Sequence, residues 1–263
     1  MNSVQVISDS NLSVAWSKAF SILMNPGATH LSPLVVKVSG FAEDTVPEDG
    51  DIRQALDASL RAVNLQSTQT VANTIFPQSM WNPDASAELL FERFRKNWPR
   101  IRTDPLNRYG HYFQRLIEYE NGNEPVNQLG HIISTWKLQN HRHSALQASI
   151  FDPRRDHTNS RRRGFPCLQQ VAFSPIGQNG IGGFAVIGFY GTQHLFEKAY
   201  GNYLGLFRLG RFMAREMGLV LTQMICVASY ASLGNVSRLA MTDLNTYVKA
   251  RVEQLEKRIT NEQ

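Results

Sequence analysis

The chain has 263 residues, 42% of them hydrophobic, enough to close a sizeable core and too apolar for a chain dominated by disorder. Its formal charge of +5 favours anionic partners such as phosphates without choosing among them. No stretch approaches the ~18 uninterrupted apolar residues of a membrane span. The opening Met1-Asn2-Ser3-Val4 also lacks the basic-then-apolar layout of a secretory leader, so the expected location is the cytoplasm, with Cys167 and Cys226 as free thiols.

Taken in order, residues 12–24 read as an amphipathic helix opened by Ser10 or Asn11 and ended by Asn25-Pro26-Gly27. Residues 34–38 are β-branched and read as a strand closed by Ser39-Gly40, after which an acidic loop runs from 43 to 51. Helical spacing of Ile52, Leu56 and Leu60 predicts a second helix, and residues 70–77 read as a strand that stops at Pro77. Helices follow over 85–97 and 126–138, separated by a short apolar segment at Phe113, Leu116 and Ile117. A strand over 145–151 is broken by Asp152-Pro153.

Two apolar runs, 167–173 and 184–190, form a hairpin with a glycine-rich connection. A helix through Leu204 and Met217 ends at Gly218, a strand covers 219–228, and a charged helix starts near Asp243. With no linker or repeat, residues 1–263 read as a single α+β domain.

Six arginines, at 142, 154, 155, 161, 162 and 163, fall in a stretch offset only by Asp152 and Asp156. This basic segment reads as a solvated surface, as an anion site for a phosphorylated substrate, or, behind these, as a nucleic-acid patch lacking the aromatic residues that stack bases. Cys167 follows it directly. A lone cysteine in an apolar run is ordinarily a small buried hydrophobe. The neighbouring arginines point instead to a lowered thiol pKa and a nucleophilic thiolate. His141, His143 and His157 lack metal-ligand spacing, so no metal is expected.

The order of these landmarks resembles the thymidylate synthase family and its pyrimidine hydroxymethylase relatives. Tyr109-Gly110 with Phe113 resembles the family's Tyr-Gly-x-x-Trp, and Pro166-Cys167 resembles its nucleophile. His194-Leu195-Phe196 followed by Asn202 keeps the spacing of its Asp-Val-Phe and asparagine. The resemblance covers about residues 105–220.

It implies a three-layer α/β fold with a large mixed sheet, homodimeric by sheet packing. It also implies a transferase in which Cys167 adds to C6 of a pyrimidine nucleotide and C5 then receives a methyl or hydroxymethyl group. In it Tyr109 joins the proton transfer, Asn202 reads the base edge, and Gln169, Thr192 and His194 bind substrate. Arg142, or Arg154 and Arg155, would meet the phosphate, within the chain or across the dimer, and 5,10-methylenetetrahydrofolate, a reduced folate, is the implied cofactor. Where the family has Arg-Ser-x-Asp this chain has Gly191-Thr192-Gln193-His194, losing a phosphate arginine and the aspartate of folate chemistry. A nucleotide-binding or interaction module on the same fold is the alternative.

Overall fold

In the computed structural model, residues 4–40, 45–120, 122, 124–160, 164–177 and 182–261 are described, the last three without their side chains. The fold is built on one mixed sheet of β1 (Gln5–Asp9), β2 (Leu34–Ser39), β3 (Gln147–Ser149), β4 (Leu168–Ile176), β5 (Gly183–His194) and β6 (Leu221–Ser232). Their spatial order is β1-β2-β6-β5-β4-β3. The β1/β2 and β5/β6 pairs are parallel and the other three antiparallel, so the expected hairpin is β4/β5.

Two helices lie against β1, β2, β5 and β6. α1 (Leu12–Met24) starts where the Asn11 side chain accepts the N–H groups of Ser13 and Val14, satisfying two donors that a helix start leaves open. Its Trp16, Phe20 and Leu23 are fully buried. The helix expected through Leu204 extends from a π-helical turn, Leu195–Ala199, into α8 (Tyr200–Met217), closed by Gly218 in the left-handed conformation. Nearly every α8 residue is buried, because β5 and β6 cover one side and further helices the other.

The further helices are α2 (Gly50–Ala62), α3 (Thr68–Ile75), α4 (Ala87–Ile101), α5 (Tyr112–Ile117), α6 (Gln128–Lys137), the single turn α7 (Pro153–Asp156) and the charged α9 (Thr242–Asn261), of which α3 and α6 pack on α8 and α5 and α6 reach β3. α9 packs on α1 and α2. Its Arg251 pairs with Asp49 and Asp51, both at 2.9 Å. Sheet, central helices and further helices make a mixed α/β arrangement in layers.

The sequence reading needs three corrections. Of residues 70–77, expected as a strand, 70–75 belong to α3, where the Ser67 hydroxyl caps the Thr70 N–H and Asp57 of α2 accepts the Thr68 N–H at 2.7 Å. α3 lies close to α8 because α8 meets it with glycines. A Cβ on Gly201 would come within 2.7 Å of the Thr68 carbonyl oxygen, and one on Gly205 within 2.9 Å of that of Ala72. Tertiary contact thus overrides the β propensity of Thr70, Val71, Thr74 and Ile75. The second correction is β1, which the sequence reading left unassigned. The third is the strand expected over 145–151, which is shorter, since Ala145 ends a 3-10 turn. Part of the acidic loop, Arg161 to Arg163 and part of the glycine-rich connection lie outside the described residues. Among the described residues no helix is long and apolar enough to cross a membrane.

Candidate functional site

A cavity of about 360 Å³ opens between α3, the segment before α5, the approach to β4, the end of β5 and the start of α8. Cys167, Tyr109, Asn202, Thr192 and His194 all line it. They come from positions nearly a hundred residues apart, and the layered packing just described is what collects them.

The other four expected residues lie elsewhere. Gln169 is an exposed β4 residue whose carbonyl accepts the N–H groups of Ile150 and Phe151. Arg142 is exposed. Arg154 turns to Asp152 at 3.3 Å and Arg155 to Glu120 at 2.7 Å, both at the surface. None of the four lines the cavity. A phosphate site made by these arginines is therefore absent from the cavity of the same chain, because short-range carboxylates hold two of them outside it.

The wall that carries Cys167 is braced from behind. Arg115 of α5 and Asp156 of α7 form a buried bidentate ion pair, one arm of which is 3.0 Å, and Arg115 Nη1 also donates to the Ile150 carbonyl at 2.7 Å. The same guanidinium stands over the Phe165 ring, 4.7 Å from its centroid. Phe165 in turn fills the space beside Gly110, where a Cβ would lie 2.7 Å from the ring, and Gly110 has φ +131°. Only glycine suits that position. The Tyr112 hydroxyl accepts the N–H groups of Cys167 at 3.3 Å and of Leu168 at 3.5 Å, fixing the backbone at the entry to β4.

The electrostatics of the thiol differ from the sequence expectation. The arginine run at 161–163 lies outside the described residues. Burial pushes the Cys167 thiol above its ordinary pKa, and among the described residues Lys198 opposes this. The thiol donates to the Gly164 carbonyl, with the sulfur 3.1 Å from the oxygen. The cysteine is thus a thiol held by the Gly164 carbonyl, with its pKa raised by burial.

Lys198 sits in the π-helical turn four residues before Asn202, so both look out from one face of the same helical run. Its ammonium donates to Gln66 Oε1 at 2.7 Å, and burial lowers its pKa. The next residue back, Glu197, pairs with His194 Nδ1 at 3.4 Å, and burial of its carboxylate is outweighed by that contact and by the Asn235 N–H, so its pKa falls. His111, which also lines the cavity, packs on Phe94 and Trp98. Burial lowers its pKa to about 4, keeping the ring neutral.

Sequence reasoning missed Tyr112, His111, Gln66 and Lys198. The spacing of Lys198 from Asn202 is a usable signal in retrospect, while Gln66 and His111 carry none because only the α3 and α5 placements bring them in. The second thiol, Cys226, is buried on β6, its pKa raised to about 12 by burial despite a hydrogen bond from Gln193.

No protein-family model matches the chain. A protein of Methanocaldococcus jannaschii with the printed name "Putative thymidylate synthase" is 33% identical over 110 residues. The aligned part is 41% of this chain, and the chain spans about half, 47%, of that protein's length. This distant and partial match supports a thymidylate synthase-like relationship.

Proposed function

We propose that the chain is a single thymidylate synthase-like domain over residues 1–263. In this reading it transfers a one-carbon unit to C5 of a pyrimidine nucleotide through a covalent Cys167 adduct at C6. The observation that carries the reading is the meeting of Cys167, Tyr109 and Asn202 in one cavity, whose volume falls in the range of small-molecule sites. The partial similarity adds to it. The thiolate adds to C6, which makes C5 nucleophilic toward the one-carbon unit. Asn202, only 5% exposed, offers an amide donor and acceptor to the base edge. Tyr109 takes part in proton transfer, and Thr192 and His194 hold the substrate.

A reduced folate such as 5,10-methylenetetrahydrofolate is the donor that the resemblance implies. At the place of the family's aspartate stands His194, held by Glu197, so the carboxylate of folate chemistry is not reproduced there. The donor accordingly enters no step here. The phosphate arginines fit the reading only as a contribution from a second subunit, which the open face of the sheet supports: Val6 is 59% and Phe189 39% exposed.

Intact-protein mass spectrometry after incubation with 5-fluoropyrimidine nucleotides tests the reading. An adduct that maps to Cys167 and vanishes in Cys167→Ala is expected, and no adduct with any such nucleotide sinks the covalent mechanism. The raised thiol pKa and the Gly164 hydrogen bond favour one second reading, a nucleotide-binding module without turnover. Unchanged nucleotide affinity in Cys167→Ala with no multiple-turnover product would select it.

A further inference from the structure

The cavity holds the Lys198 ammonium with no side-chain ion pair among the described residues. Among the described residues no carboxylate stands within ion-pair distance of Lys198, whose ammonium is bonded to the neutral amide of Gln66. Its neighbour Glu197 attracts it from beyond ion-pair distance while pairing directly with His194 and the Asn235 N–H. A half-buried ammonium held this way by a neutral group is costly unless an anion faces it for part of the working cycle. The Cys167 thiol lines the same cavity and becomes such an anion on losing its proton, which burial alone disfavours.

We propose that Lys198 is the charge partner of Cys167. In the free protein it favours the thiolate over the thiol held by Gly164. Resting on the thymidylate synthase-like reading, it also remains opposite the negative charge when that charge moves into the substrate. In that step the sulfur–C6 bond forms and the C5=C6 π pair shifts to the C4 carbonyl oxygen as an enolate. The thiol proton has already passed to water, and no oxidant or reductant is needed. An ammonium donates hydrogen bonds and accepts none, which suits a thiolate and then an enolate oxygen. Among the described residues, the other titratable or charged groups around the thiol are Arg108, Tyr109, His111, Tyr112, Tyr190, His194 and, further back, Glu197. His111 is neutral near neutral pH and the tyrosines 112 and 190 are pushed upward by burial, so neither alters the charge through the range in which the thiol titrates from below.

The pH dependence of iodoacetamide alkylation at Cys167, read on the Cys167 peptide by mass spectrometry, tests the pairing in the full chain without a nucleotide. Removing a nearby cation disfavours the thiolate, so Lys198→Met and Lys198→Gln are expected to move the midpoint upward. Alkylation should become roughly tenfold slower at a fixed pH below it. Lys198→Arg should keep the wild-type midpoint. Cys226 reports on folding, since it stays unreactive while buried; if the methionine variant exposes it, the glutamine variant decides. One midpoint shared by wild type and the neutral variants overturns the proposal, whatever nucleotide adducts form. A wild type that forms no 5-fluoropyrimidine adduct while the shift is present overturns the thymidylate synthase-like reading instead and leaves the charge pair in place.

Discussion

Tyr112 shows how a single hydroxyl positions the candidate nucleophile. It accepts two backbone N–H groups, those of Cys167 and Leu168, and burial keeps it a neutral phenol by pushing its pKa upward. Tyr112→Phe leaves both donors without that partner, at a cost of about 1–3 kcal/mol. The bonds are long, so the lower end of that range is expected. Urea unfolding measures the loss, and an unchanged midpoint would show that the two N–H groups do not depend on the hydroxyl. His111 gives a pH signature. Its folded pKa of about 4 is depressed from the ordinary 6.5, so its stabilising contribution is complete above pH 6.5 and is lost as pH falls toward 4. Between pH 6.5 and 5 the loss from this residue is about 2 kcal/mol. His111→Phe, which keeps a ring against Phe94 and Trp98, should flatten that part of the stability profile; equal slopes for both proteins would contradict it.

At the scale of elements, the Arg115–Asp156 pair joins α5 to α7 and, through the Phe165 ring, to the approach to Cys167. Arg115→Met removes one partner and leaves the Asp156 carboxylate buried, which costs roughly 3–5 kcal/mol. Adding Asp156→Asn to it should recover part of that loss, because the buried charge is then gone. A double variant no more stable than Arg115→Met would show that the cost lies in packing and not in charge. This pair was illegible in the sequence, where Arg115 and Asp156 are separated by most of three elements. What could be read were elements whose own residues decide them: α1 with its Asn11 cap, α8 with Gly218 at its end, and the β4/β5 hairpin. α3 could not, because Val71 and Ile75 favour a strand locally and are overruled by Gly201 and Gly205 on another element. Cys167, Tyr109 and Asn202 were picked out through the family resemblance and share one cavity; Lys198 was not, since its setting depends on Gln66 in the turn before α3.

For the whole molecule, the sheet has one face packed on α1 and α8 and another that no layer of the described chain accounts for. Strand register places Val6 beside Val35, Val35 beside Val227, and Val227 beside Phe189, so one apolar row crosses β1, β2, β6 and β5 on that face. A second row runs from Ile225 to Ile187 and Ala172. Contiguous apolar surface of this kind marks an interface, and a second copy stacked sheet on sheet is the occupant that the proposed function requires. Light scattering after gel filtration is therefore expected to give twice the chain mass of 29.7 kDa. Phe189→Glu together with Val227→Glu should return the mass to that of one chain while circular dichroism stays unchanged. The same assembly decides the role of Arg154 and Arg155, exposed and outside their own chain's cavity. If they reach the partner's cavity, mixing Cys167→Ala subunits with subunits in which both arginines are alanine restores fluoropyrimidine adduct formation that neither gives alone. Mixed dimers without restored adducts would leave those arginines as surface partners of Asp152 and Glu120.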